Sequence, residues 1–229
     1  SPPPDRLKLY NASNFFDRRA VPPADLPAIA RLAAPFPGVT VESHARTVGS
    51  GTLEFARMLD GRLEVAMGLE TIHPLAAANL NKRLDLDVFD RAADFLLTNG
   101  IDLRVFVLLG APFIPADEAV EWTVRTAEHA LARGAALVSI IPVRGGNGEL
   151  ERLADLGHFT PPTLAQLEMA LDRCVALGAG VVTADLWDVE LLAACEACRE
   201  VRVGRVRRIN GGGRAEAAVG CGVCGGGVK

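Results

Sequence analysis

Residues 63–113 read LEVAMGLETIHPLAAANLNKRLDLDVFDRAADFLLTNGIDLRVFVLLGAPF. Leu63–Met67 is a short apolar run that ends at Gly68 and then Glu70. Phe89–Leu97 carries apolar residues at helical spacing, and Asn99 and Gly100 stop it. Leu103–Leu109 is a second apolar run, broken by Gly110 and Pro112. A buried strand, a crossover helix and a second buried strand make a βαβ unit, whose strands must run parallel. Parallel sheets keep their chemistry at the carboxyl ends of the strands. Glu70 and the Gly110–Pro112 turn fall at two such ends.

The flanking sequence repeats the pattern. Leu7–Tyr10, Val39–Val41, Leu137–Ile141 and Val181–Ala184 read as further strands. Leu26–Ala33, Thr52–Leu59, Ala116–Ala132, Glu149–Asp155 and Leu164–Leu177 read as helices between them, and Leu191–Cys198 as a helix after the last strand. Regular alternation of this kind predicts an α/β fold built on a parallel sheet. Because every strand is short, a partial (β/α) TIM-like barrel suits it better than a long open sheet. A dinucleotide fold lacks its glycine fingerprint here. The spacing predicts a barrel over residues 1–189 and a cysteine-rich appendage over residues 190–229.

The bulk properties exclude some classes. The 229 residues are 49% hydrophobic and 23% charged, which allows an ordinary packed core. A net charge of −4 argues against a chain-wide field for nucleic acid, though a local patch stays open. No apolar run approaches the roughly 20 residues of a membrane span, and no secretory pattern opens the chain. A cytoplasmic protein is expected. The chain starts on Ser1 and three prolines and soon enters an apolar run, which reads as a cut inside a longer protein.

Four of the five cysteines form two C-x2-C pairs, Cys195 with Cys198 and Cys221 with Cys224. Two such turns can complete a tetrahedron of thiolates around one metal. Zinc is the leading ion, because the spacing resembles a zinc ribbon, and an auxiliary iron–sulfur cluster is the rival. Arginines at 199, 202, 205, 207 and 208 lie between the pairs and offer either an RNA contact or simple solvation. Cys174 sits on the apolar stripe of a helix, as a buried small hydrophobe would. The four histidines show no mutual spacing that points to a metal or to catalysis.

Read together, several motifs resemble the core of a radical SAM (S-adenosylmethionine) enzyme. They are Lys8-Leu9-Tyr10-Asn11 before Phe15-Phe16-Asp17, then Gly68-Leu69-Glu70-Thr71, Asn81-Lys82-Arg83, Asn99-Gly100-Ile101, Gly110-Ala111-Pro112 and the cysteine-bearing tail. Their order is similar to the Elongator-protein-3-like branch and to the group that includes the archaeosine synthase radical subunit.

The resemblance implies a partial barrel and a [4Fe-4S] cluster with SAM on its open iron. It also implies a 5′-deoxyadenosyl radical, an electron donor such as ferredoxin or flavodoxin, and a tRNA nucleoside as substrate. It places Glu70 near the SAM ribose and carboxylate, and Lys82 against that carboxylate. It puts Asn14 where a polar turn contacts the SAM amino group, with Ser43 and Glu42 facing the pocket. The residue-level alternatives stay open: Glu70 as a helix cap, Lys82 as a solvated charge, Asn14 as a turn former. Asp185 and Asp188 end the last strand and read as helix caps, with a substrate-binding acid as the alternative. The C-x3-C-x2-C cluster motif is absent from this sequence. Two functions therefore stand side by side: a radical SAM enzyme fragment, and a non-catalytic degenerate barrel whose zinc-bearing tail binds RNA or a protein.

Overall fold

The computed structural model describes residues 5–10, 14–80, 85–146 and 148–225. Six strands, β1 (Leu7–Leu9), β2 (Gly38–Glu42), β3 (Arg62–Glu70), β4 (Asp102–Leu109), β5 (Leu137–Pro142) and β6 (Val181–Ala184), follow one another in sequence order within one sheet. The strands are parallel and form the partial barrel that the alternation predicted. The intervening helices are α1 (Leu26–Ala33), α2 (Ser50–Met58), α3 (Pro74–Asn79), α4 (Leu86–Thr98), α5 (Ala119–Ala132), α6 (Glu149–Asp155) and α7 (Leu164–Ala176). A last helix, α8 (Glu196–Gly212), follows β6.

Three boundaries differ from the sequence expectation. β3 runs through Gly68 to Glu70, because its ladder and burial on both faces outweigh a local breaker. α5 begins at Ala119, after a turn in which Glu118 N–H donates to the Pro115 carbonyl. The expected helix Leu191–Cys198 is replaced by a 3-10 turn over Val189–Leu192 and by α8, which starts after Cys195 and carries the arginine run. Arginine is a good helix former, and Gly213 in the left-handed region ends the helix.

The chain divides into two compact units. The first comprises residues 1–69, 84–105 and 133–136. Its core holds Val39, Val41, Val65, Met67, Leu103 and Phe55, all fully buried. β4 alternates buried and half-buried positions, the period-two signature of a strand with unlike faces. Within the apolar run of β3, Glu64 is buried. It accepts hydrogen bonds from the Thr40 hydroxyl (2.9 Å) and from Arg104 Nε (2.8 Å), which satisfy the charge.

The second unit comprises residues 70–83, 106–132 and 137–229. β5 and β6 pair in register from Leu137 opposite Val181 to Ile140 opposite Ala184. Thr163 caps α7 by accepting from Gln166 N–H, while the Gln166 side chain accepts from Thr163 N–H, a capping box. α5 and α7 pack together, joined at the surface by Arg173 and Glu121 (2.7 Å). β6 ends the strand order, and α8 lies on it. There the Asn210 carboxamide accepts from Ala184 N–H (2.8 Å) and donates to the Ala184 carbonyl (2.7 Å). A side chain thus stands in for the next backbone and blunts an open strand edge.

Candidate functional site

In the first unit the loop after β1 is tied to the end of β2. The Asn14 Oδ1 accepts from the Ser43 hydroxyl (2.9 Å), the Thr47 hydroxyl (2.8 Å) and His44 N–H (3.3 Å). Ser43 is buried, and its N–H donates to the Ala66 carbonyl at 2.9 Å, which extends the β2–β3 ladder by one residue. Asn14 and Ser43 are therefore brought together, and the acceptor expected of Asn14 is engaged by three donors of this chain. His44 Nδ1 accepts from Arg46 N–H and starts a 3-10 turn, so this imidazole serves local structure. Phe15 and Phe16 follow Asn14 and lean on Phe55 of α2, with ring centroids 5.0 and 6.3 Å away. Beside them lies an open cavity of about 350 Å³ with Arg18 and Glu54 in its wall.

In the second unit Glu70 ends β3 with φ of 62°, in the left-handed region that non-glycine residues seldom occupy. The cap of α3 is supplied by His73, whose Nδ1 accepts from Ala76 N–H at 3.1 Å. The His73 ring also meets Trp122 edge-on, with centroids 4.6 Å apart. Sequence reasoning missed His73, although its place directly before Pro74 is the cap position. Gly110 has φ of 74°, and the Pro162 ring lies 3.0 Å from where a Cβ would stand, so only glycine fits this turn. Lys82, with Asn81 and Arg83, lies outside the described residues, as do Asn11 and Asn147.

At the ends of β5 and β6, Arg144 Nη1 donates to Asp185 Oδ2 at 2.9 Å. Asp185 is thus an ion-pair partner before it is a cap. Asp188 precedes the 3-10 turn but makes no side-chain cap bond; its backbone is left-handed instead, with φ of 47°.

The tail brings its four predicted ligands together. The Sγ atoms of Cys195, Cys198, Cys221 and Cys224 all lie within 4.8 Å of one another. Cys195 and Cys198 flank the first turn of α8, and Cys221 and Cys224 lie in a turn. No strand occurs in the described residues beyond β6, so the zinc-ribbon comparison fails: a helix start replaces one of its knuckles. Backbone N–H groups of Cys224 and Val223 lower the Cys221 thiol to about 6. Burial raises Cys198 to about 11.

The arginine run is paired with acids of this chain. Arg199 pairs with Glu196, Arg202 with Glu168, Arg207 with Glu190 and Arg208 with Glu216. Arg205 is 2% exposed and bonds both oxygens of Asp172 through one nitrogen, at 2.7 and 2.8 Å. It also reaches Glu168 Oε1 and the Glu216 and Ala217 carbonyls. Helix formation turned these side chains toward acids on α7, on the 3-10 turn, on α8 itself and on the return segment after it (residues 214–220), so the charges are paired within the chain. A signal was present in the sequence. Glu168 interrupts an apolar stripe of Leu164, Leu167 and Leu171, which marks a buried acid in need of a cation.

Cys174 is 1% exposed, and burial raises its thiol to about 12. The thiolate is the reactive form. In the native chain at pH 8, Cys174 is expected to resist iodoacetamide, and in denaturant to react fully. Peptide mapping that finds Cys174 alkylated in the native chain would refute the buried-hydrophobe role.

No family model matches this chain. An uncharacterized protein of Methanocaldococcus jannaschii is similar, with 23% identity over 164 residues, or 69% of this chain and 45% of that protein. Among solved structures, an archaeal Elp3 from Methanocaldococcus infernus, solved with an N-terminal deletion, superposes with a TM-score of 0.65. The match has 12% identity and covers 92% of this chain and 55% of that one. Coproporphyrinogen III oxidase from Escherichia coli, a radical SAM enzyme, gives a TM-score of 0.57 at 12% identity, over 76% of this chain and 39% of its own. The chain thus spans about half the length of the proteins it resembles. Its fold is the partial barrel on which a radical SAM enzyme is built.

Proposed function

We propose that this chain is the SAM-binding portion of a radical SAM enzyme whose substrate is a tRNA nucleoside. The observation that carries the reading is Glu70, an acid held in a strained backbone conformation at the carboxyl end of a strand in a partial barrel of this class. Strain of about 1–3 kcal/mol at a strand end persists where the side chain is needed in one place. In this reading Glu70 accepts from the SAM ribose hydroxyls, and Lys82 pairs with the SAM carboxylate. In the first unit, Asn14 and Ser43 fix the loop after β1, where the resemblance would put a contact to the SAM amino group. A metal at the four tail thiolates, zinc or an auxiliary iron–sulfur cluster, completes the chain's own cofactors.

The residues present do not fit the cluster that would cleave SAM. Four cysteines converge in the tail, and the fifth, Cys174, is sealed inside α7. No radical step is therefore assigned to this chain's side chains; what they do is bind and orient. SAM of itself supplies a sulfonium whose C5′–S bond yields the radical when an electron arrives.

Equilibrium dialysis tests the reading. The unmodified chain is expected to retain labelled SAM, and Glu70→Gln to bind about 10–100-fold more weakly, as loss of a charged hydrogen bond implies. Glu70→Gly is expected to bind as weakly, yet to gain about 1 kcal/mol of stability because glycine adopts positive φ without strain. Unchanged binding in both variants would remove Glu70 from the site. No binding by the unmodified chain would sink the reading.

A further inference from the structure

We infer that Cys195, Cys198, Cys221 and Cys224 hold a single zinc ion, and that Arg202, one turn beyond Cys198, positions this centre by tying the start of α8 to Glu168 on α7. The inference deepens the tail-metal part of the function proposed above and is independent of SAM. Three observations carry it.

The first is spacing. Four thiolates about 2.3 Å from one tetrahedral ion lie about 3.8 Å from each other. The Cys198 and Cys224 sulfurs are 3.8 Å apart, and no pair among the four exceeds 4.8 Å. A four-iron cube would stand between its thiolates and spread them further.

The second is exposure. Cys224 is exposed, and Cys195 and Cys221 are partly so. A redox-inert d10 ion tolerates that position better than iron, and four thiolate ligands leave it no open coordination site. The ion is then a fastener and not a reagent. It ties the start of α8 to residues 221–224, at the far end of the segment whose Glu216 and Ala217 carbonyls are held by Arg205.

The third is charge. Four thiolates around a divalent cation carry a net charge of −2. Arg202 stands one turn beyond Cys198 on α8, and its Nε donates to Glu168 Oε2 at 2.6 Å. One arginine thus brings a positive charge to the ligand-bearing end of α8 and ties that end to α7, as groups behind metal ligands commonly do.

The test uses the whole 229-residue chain, purified anaerobically from cells supplied with both zinc and iron. One equivalent of zinc with no acid-labile sulfide is expected, as is a tetrahedral thiolate spectrum after exchange with cobalt(II). Several irons with matching sulfide, one red ferric ion, or no metal at all would each overturn the zinc assignment. Arg202→Gln is expected to keep one zinc but to release it about 10–100-fold faster to a chelator. Arg202→Lys, which keeps the charge but not the fork, is expected to fall between. Release at the unmodified rate from Arg202→Gln would overturn the positioning role. The zinc count stands whether or not that variant folds. Neither readout involves SAM, so failure here leaves the SAM proposal intact, and loss of SAM binding leaves the zinc assignment intact.

Discussion

Replacing Arg205 with methionine is expected to remove about 3–5 kcal/mol of unfolding free energy, the usual cost of stripping one partner from a buried ion pair. Arg205 is among the largest fully buried side chains of the protein. Its guanidinium serves Asp172, Glu168 and two carbonyls of the return segment. Methionine fills much of the volume but donates nothing, so Glu168 loses a cation while 10% exposed, and two carbonyls lose their donor. The control is Arg207→Met, whose pair with Glu190 is half-exposed on both sides and should cost under about 1 kcal/mol. Urea titrations followed by tryptophan fluorescence report on this directly, because Trp122 and Trp187 both belong to the second unit. Equal losses for the two variants would show that Arg205 is no keystone. Matched zinc content in both samples keeps the comparison free of metal loss.

Phe55→Ala is expected to cost a comparable amount, about 3–5 kcal/mol, from lost transfer energy and the cavity left behind. Phe55 is fully buried on α2 and meets Phe15 at 5.0 Å. Phe15 follows Asn14 directly, and its N–H donates to the Glu42 carbonyl at 2.8 Å. The loss should therefore spread beyond stability, with hydrogen exchange at His44 N–H, which Asn14 accepts, expected to quicken. Met58→Ala, on the same helix but 42% exposed, should cost under about 1 kcal/mol and serves as control. Both tryptophans lie in the other unit, so circular dichroism is the appropriate probe. Unchanged exchange at His44 would mean that the aromatic pair does not support the Asn14 clamp.

The two centres differ in how plainly they were written in the chain. The thiolate cluster was legible because C-x2-C spacing already fixes two ligands in one turn, and two such pairs have few ways to meet. The clamp of Asn14, Ser43 and Thr47 was not. Ser43 and Asn14 lie 29 residues apart, and a hydrogen bond over that distance leaves no period in the sequence. His73 as the cap of α3 could have been read from its place before Pro74. That Glu70 takes a left-handed backbone could not, because nothing local demands it.

The sequence by itself determined the order of strands and helices, because burial on one face or two imposes a period of 3.6 or 2 on the apolar residues. From Leu63 to Phe113 that period alone yields strand, helix and parallel strand. The tertiary structure alone decided what the charged residues do. Glu64 within an apolar strand is matched by Thr40 and Arg104, and the arginines of α8 are matched by acids on α7, the return segment and their own neighbourhood. Periodicity records which side of an element is buried; the partner of a buried charge is chosen only when distant elements come together, and there the low dielectric makes pairing obligatory.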